Sequence, residues 1–280
     1  METAAPQKRI AVIEDLSFVG RCSSLIAAPA ISAAGAECCF IPTVLLSAHT
    51  GFVGAKKLSV ADFAVSAAEH YRELGVRFDA IYTGYTGGES ELGAVLRAVD
   101  ILKDENTLLI TDPAFADKGK MYGGYGEDYP RLMRKLCERA DVILPNVTEA
   151  ELILARSHKE TTELEYALEL LDELSAVCGG RAVLSGVRAG NEVATVAKDG
   201  KTGESVMHRT ARIDAHYFGT GDLFASVFTA LFVKNGDFSA ALKAAADFTA
   251  ACVRDTFSRG AHDSRFGVEF EGRLAELKTL

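Results

Sequence analysis

The sequence predicts a three-layer α/β/α fold built on a central, mostly parallel sheet. Three observations carry this expectation. Short β-branched runs alternate with longer amphipathic stretches along the chain. The strand-like runs are almost continuously apolar (IAVI, LLIT, VILP, AVLS). No Pro/Ser-rich linker or charge block divides the 280 residues. Strands apolar on both faces belong in a sheet covered by helices on each side, and strand–helix–strand repetition gives right-handed parallel crossovers.

In chain order, strands are expected at 9–14, 37–42, 79–83, 107–112, 141–145, 181–187 and 191–197. Helices are expected at 23–34, 60–74, 89–102, 129–139, 161–177, 222–234 and 238–257. After Ala197 comes a hydrophilic, hairpin-like stretch, then a Gly-rich turn, then long Ala-rich helices. One domain is expected over 1–280, with 1–8 and about 262–280 peripheral. Ligands of such sheets bind beyond the carboxyl ends of the strands. Those ends carry Glu14-Asp15, Thr83-Gly84-Tyr85, Asp112-Pro113, Pro145-Asn146 and Ser185-Gly186. The rim they form is the expected site.

The net charge of -9 argues against nucleic acid as a partner, because phosphate backbones attract basic surfaces. Cysteines stand at 22, 38, 39, 137, 178 and 252 with no CxxC pair. They read as free thiols in a reducing compartment. The N-terminus METAAPQKR runs into IAVIE with no signal-peptide pattern. The longest apolar stretch, 25–36, is broken by Pro29 and Ser32 and falls short of the roughly 20 residues that span a bilayer. A cytoplasmic protein without a membrane partner is expected.

The sharpest local signal is Phe218-Gly219-Thr220-Gly221-Asp222-Leu223-Phe224. Two glycines allow a tight turn that aims several N–H groups at one point, and the helix that follows adds its positive end. A carboxylate there suits a general base that takes a proton from an attacking hydroxyl while the amides hold the developing charge. By itself, Asp222 suits a helix cap after a Gly turn slightly better, and the other rim residues reverse that balance toward the base. The pattern is not a dinucleotide fingerprint, since the third glycine is missing and it does not follow the first strand.

Six ordered segments together resemble the pyridoxal/pyridoxamine (B6 vitamer) kinases of the ribokinase-like superfamily, from about residue 8 to about 260. These are Glu14-Asp15-Leu16-Ser17 with Gly20-Arg21-Cys22-Ser23; Pro42 through Ser47-Ala48-His49-Thr50-Gly51; Tyr82-Thr83-Gly84-Tyr85; Asp112-Pro113 through Gly119-Lys120-Met121-Tyr122; Pro145-Asn146-Val147-Thr148-Glu149-Ala150-Glu151; and Gly219-Thr220-Gly221-Asp222. The resemblance implies a ribokinase-like fold, phosphorylation of a hydroxymethyl group by ATP with Mg2+, a B6 vitamer as acceptor, and a homodimer. It leaves open whether a monovalent cation such as K+ is required.

By the same resemblance, Asp222 is the base, and Gly219, Thr220 and Gly221 form the anion hole. Asp15, Ser17, Ser47, His49, Thr50 and Tyr85 surround the acceptor ring. Asn146, Ser185, Lys120, Thr220 and Gly221 meet ATP, and Asp112 and Glu149 hold the metal directly or through water. Asn146 and Glu149 also have the spacing of a helix capping box. The 114–125 loop reads as a mobile flap over the nucleotide, with Lys118 and Lys120 near the phosphates. Two departures stand out: Glu14 where the family commonly has His, and Asp112-Pro113-Ala114-Phe115 where Asp-Pro-Val-Met is common. Phe115 is expected beside the acceptor, bearing on which vitamer fits. Hydroxymethylpyrimidine is the alternative acceptor, and a catalytically silent vitamer-binding protein is the alternative of another class.

Overall fold

The computed structural model describes residues 6–159, 163–260 and 263–280. Its first half runs β1 (Arg9–Ser17), α1 (Ser24–Ala33), β2 (Glu37–Leu46), β3 (Lys57–Ser59), α2 (Ala61–Glu73), β4 (Ala80–Thr83), α3 (Glu89–Leu102) and β5 (Leu108–Thr111). A small hairpin, β6 (Ala116–Asp117) and β7 (Lys120–Met121), follows, then α4 (Tyr129–Cys137), β8 (Val142–Ile143), α5 (Val147–Ile153) and α6 (Leu164–Cys178). The chain continues through β9 (Arg181–Ala189), β10 (Glu192–Asp199), β11 (Ser205–Ala211), α7 (Thr220–Asn235) and α8 (Phe238–Ser258). Short 3-10 turns at Ser264–Phe266 and Glu271–Thr279 complete it.

The main sheet has the order β11-β10-β9-β8-β5-β4-β1-β2-β3. Strands β2, β1, β4, β5, β8 and β9 are parallel neighbours in that succession. Antiparallel strands finish both sides, β3 on β2 and β10 with β11 on β9. This is the predicted three-layer fold. Along β1 the alternation of faces is direct: Ala11 and Ile13 enter one core with α2 to α6, whereas Ile10 and Val12 enter the other with α1, α7 and α8. All four are fully buried, as a parallel sheet covered on both sides requires.

Three expectations change. Strand β2 runs past Pro42 to Leu46, and Pro42 lies outside the Val44–Leu46 stretch that β3 pairs, where a missing N–H costs least. The hydrophilic stretch after Ala197 ends in a full strand, β11, whose residues alternate exposed and half-buried. The segment expected to be peripheral near the C-terminus is packed: Val268, Phe270 and Leu277 are buried in the α1/α7/α8 core. Of the helix expected at 161–177, Thr161 and Thr162 lie outside the described residues, and the helix runs Leu164–Cys178. Among the described residues, no helix is long and apolar enough to cross a membrane.

Candidate active site

The carboxyl ends of the parallel strands open into a cleft of about 1170 Å³. Asp15, Ser17, His49, Thr50, Tyr85, Asp112, Asn146, Glu149, Ser185 and the run Gly219 to Asp222 all line it. Backbone bonds across the rim fix the spacing. The Asp15 N–H donates to the Tyr85 carbonyl at 3.0 Å, and the Asp112 N–H to the Thr83 carbonyl at 2.8 Å. Two expected residues lie outside the cleft. Ser47 is exposed, and its hydroxyl accepts the Lys56 N–H at 2.8 Å. Lys120 is exposed on β7, whereas Lys118 at the hairpin turn lines the cleft instead.

Gly219 precedes α7 with φ 75, a left-handed backbone that glycine adopts freely. The first backbone bond of the helix runs from the Leu223 N–H to the Gly219 carbonyl, and the N–H groups of Thr220, Gly221 and Asp222 have no backbone acceptor among the described residues. Three free amides thus stand at the positive end of a 16-residue helix, a ready anion site. The Thr220 hydroxyl donates to the Tyr217 carbonyl at 2.8 Å and steadies the turn. Asp222 reaches back to β1's exit loop, where it accepts the Ser23 N–H at 2.9 Å. Ser23 aims that N–H from a strained, positive φ of 47.

The site is rich in carboxyl groups that raise one another. Burial, opposed by the Ser23 N–H and the His49 ring, holds Asp222 above the ordinary carboxylate range. Burial moves Asp15 up to about 6 although the Ser23 and Ser17 side chains stabilise its charge; the Ser17 hydroxyl donates to it at 2.7 Å. Asp112 lies well above its ordinary value through burial and the charges of Glu149 and Asp222. Behind them Glu14, fully buried, is pushed well up by burial and by Asp222, Asp15 and Asp112. Its Oε2 has no hydrogen-bond partner among the described residues, and a side chain on Gly84 would overlap it.

Several side chains prove to be committed within the protein. The His49 Nδ1 accepts the Gly51 N–H at 3.1 Å, so its Nε2 carries the proton and donates to the Arg265 carbonyl at 2.6 Å. With both nitrogens engaged, and with Phe218 and Phe52 at 4.7 and 4.9 Å, His49 is a wall of the pocket rather than a polar contact. Asn146 caps α5 in a full capping box with Glu149, and its amide donates to the Ala116 carbonyl at 2.8 Å. Glu149 accepts the N–H groups of Phe115, Ala116 and Asn146. Burial still lifts it to about 7 against those bonds.

Phe115 does not stand beside the acceptor position. Ala114 takes a positive φ of 45, which turns Phe115 into the core, 0% exposed and 5.5 Å from the Tyr129 ring. Ala114 lines the cleft in its place. The flap is also more anchored than expected. Tyr122 donates its N–H to the Phe115 carbonyl, and Tyr122 and Tyr125 pack near Tyr85 at 6.5 and 5.9 Å between ring centres.

Sequence reasoning passed over Cys22, His158, Arg212 and His216, as well as Thr249 and Val253 on α8, all of which line the cleft. The α8 residues form its far wall; the Ala-rich C-terminal region is where the adenine pocket is expected, but helical spacing in such a run does not single out the residues that meet the cleft. Cys22 sat inside a quoted motif but was read only as a thiol. Burial and the Asp222, Asp15 and Glu14 charges hold it well above the ordinary thiol range.

Among the described residues, no three His, Cys, Asp or Glu side chains converge on one point. Magnesium does not need such a cage, because it is held by one or two carboxylates together with water and phosphate oxygens. Asp112 fits that role, since its carboxylate faces the cleft. Glu149, with its oxygens taken by amides, fits only an outer, water-mediated place.

The sequence model of the phosphomethylpyrimidine kinase family matches residues 30–266. The chain belongs to this family. Its fold is the ribokinase-like one. Pig pyridoxal kinase is 31% identical over 219 residues, covering 70% of this chain and 66% of that enzyme, just under two thirds of its length. A Bacteroides thetaiotaomicron protein provisionally classed as a phosphomethylpyrimidine kinase, crystallised with pyridoxal, superposes with a TM-score of 0.90 and 31% identity. That match covers 97% of this chain and 96% of the other. Pyridoxal kinase from Lactobacillus plantarum gives a TM-score of 0.88 and 29% identity, covering 97% of each chain.

Proposed function

We propose that this chain transfers the γ-phosphoryl group of ATP to the 5′-hydroxymethyl group of a B6 vitamer (pyridoxal, pyridoxamine or pyridoxine), giving the 5′-phosphate. The observation that carries this reading is the pyridoxal-bound Bacteroides relative, 31% identical over nearly the whole chain, beside a rim holding the carboxylates and free amides that the chemistry needs.

Asp222 takes the proton of the acceptor hydroxyl as its oxygen attacks the γ-phosphorus and the bond to ADP breaks. The free amides of Thr220, Gly221 and Asp222 stabilise the transferring phosphoryl group. Asp15 and Ser17 hydrogen-bond ring substituents, Tyr85 and His49 flank the ring, and Thr50 closes its edge. Ser185 and Lys118 meet the phosphates. Asp112 holds Mg2+, with Glu149 behind it through water; the ion would neutralise charge on the phosphate oxygens. A cytoplasmic homodimer is part of the same proposal and rests on the resemblance; light scattering on the purified protein tests the dimer. Replacing K+ by tetramethylammonium tests the monovalent cation.

The deciding experiment is a coupled ADP-release assay with MgATP and five acceptors: pyridoxal, pyridoxamine, pyridoxine, hydroxymethylpyrimidine and ribose. Turnover on a vitamer that disappears in Asp222→Asn establishes reaction, acceptor and base. The family's description makes hydroxymethylpyrimidine the second acceptor to weigh. Activity on it alone discards the vitamer, and silence on all five leaves a binding protein.

A further inference from the structure

The β6–β7 hairpin turns through Lys118 and Gly119, with φ 51 and 75. Two successive positive φ values close a two-residue hairpin tightly, and lysine adopts such a backbone only at a cost in strain. Something must hold that turn. The Gly119 N–H donates to the Thr148 hydroxyl at 3.0 Å. The other holder is His158, whose ring edge is so close that a Cβ on Gly119 would stand 2.5 Å from its Cδ2 and 2.6 Å from its Nε2.

His158 is itself fixed from behind. Its Nδ1 lies 2.7 Å from Oε2 of Glu151, a carboxylate only 1% exposed. The other oxygen of Glu151 accepts the Lys159 N–H at 2.9 Å and the Tyr166 hydroxyl at 3.0 Å. A carboxylate with three donors in a buried place is a rigid anchor, and it makes Nδ1 the donor of the imidazole. Nothing in the phosphoryl-transfer chemistry uses this buried acid.

The turn it supports carries the charge that the cleft lacks. Among the described residues that line the cleft, five are carboxylates, and the permanent cations are Lys118 and Arg212. Arg212 is paired with Asp214 at 2.5 Å. Among the described residues Lys118 has no ion pair, and its charge is felt at His216, whose pKa it lowers after burial does. A polyphosphate entering this acidic cleft therefore depends on where Lys118 is held.

We propose that His158, oriented by Glu151, is a positioning residue that seats the flap turn and thereby holds Lys118 on the nucleotide's phosphates. The proposal rests on the kinase reading above and deepens it. It predicts that His158 acts through Lys118, so the two are not independent.

A double-mutant cycle with isothermal titration of ATP, ADP and adenosine tests this. Lys118→Ala and His158→Ala are each expected to weaken ATP and ADP about tenfold and leave adenosine within about twofold, and the double variant to lose little more than either alone. The conservative His158→Gln is expected to recover part of the loss. Unchanged ATP affinity in His158→Ala, full additivity in the double variant, or an equal loss for adenosine would each overturn the proposal. Amide exchange of residues 116–121, measured without nucleotide, reads the seat separately: faster exchange in His158→Ala supports it, and unchanged exchange refutes it. A parent protein that binds no adenine nucleotide would sink the kinase reading, with the exchange result still judging the seat.

Discussion

The Asp222 carboxylate accepts the backbone N–H of Ser23 at 2.9 Å across 199 residues of sequence. The bond pins the first turn of α7 to the exit of β1, so the proposed base is tied directly to the rim of the proposed acceptor pocket. Asn at 222 keeps an oxygen for Ser23 but cannot take a proton. In Asp222→Asn, kcat is expected to fall about 10²–10⁴-fold, the usual contribution of a positioned base, with vitamer affinity within about threefold. Calorimetric binding beside steady-state kinetics checks this, and parental turnover in the variant would remove Asp222 from the role.

Because burial raises Asp222, the base is protonated at higher pH than a free aspartate, whose value is 3.8. The proposed chemistry requires the ionised form, so kcat is expected to decline on the acid side beginning above that value. Asp15, near 6, adds to the same limb through acceptor binding. A pH profile of kcat and kcat/KM measures both. A profile flat down to pH 4.5 would contradict the electrostatics drawn here.

Glu14 offers a stability test with a definite sign. Its folded pKa lies well above the ordinary 4.5, so the native state binds the proton more tightly than the unfolded chain. That contribution is whole below 4.5 and drains away as pH rises toward the folded value. Gln carries no such burden. Glu14→Gln is therefore expected to match the parent near pH 4 and to gain on it by up to about 1.4 kcal/mol per pH unit above 4.5. Thermal melts between pH 4 and 8 read the difference. A constant offset across that range would mean that Glu14 is charged in the fold.

Gly219 cannot carry a side chain: a Cβ there would overlap the Arg21 carbonyl oxygen, and φ is 75. Gly219→Ala is expected to cost about 1–3 kcal/mol in stability and most of the activity, because the turn that aims the amides must move. Gly221→Ala meets nothing within 4 Å and is the control. Equal melting temperatures for the two variants would refute the strain argument.

The sheet was legible because its strands are apolar on both faces, a pattern that survives without any neighbour in view. Helix α3 was read to its last residue, since Glu89 opens it and 3.6-residue spacing runs unbroken to Leu102. Helix α5 was not read as a helix, although its Asn146/Glu149 cap was, because seven residues show too little periodicity. In the site, chemistry-bearing residues at strand ends stood out, while direction did not. Nothing in Asp112-Pro113-Ala114-Phe115 announces a left-handed Ala114, and that one dihedral decides that Phe115 faces the core. Lys118 and Lys120 are equivalent as letters, and only the hairpin turn separates them. His158 lacked any motif, since its partner Glu151 matters through burial, which one sequence does not display.

The bond between the His49 ring and the Arg265 carbonyl joins residues 216 apart. A ribosome delivers this chain from the β1 end, so the strands, the base and the anion hole are all made before the residue that closes the acceptor wall. Until 263–268 have cleared the exit tunnel, the growing polypeptide holds every reactive group around an open-sided pocket. That side of the cleft is therefore complete only after the 263–268 segment has docked against His49.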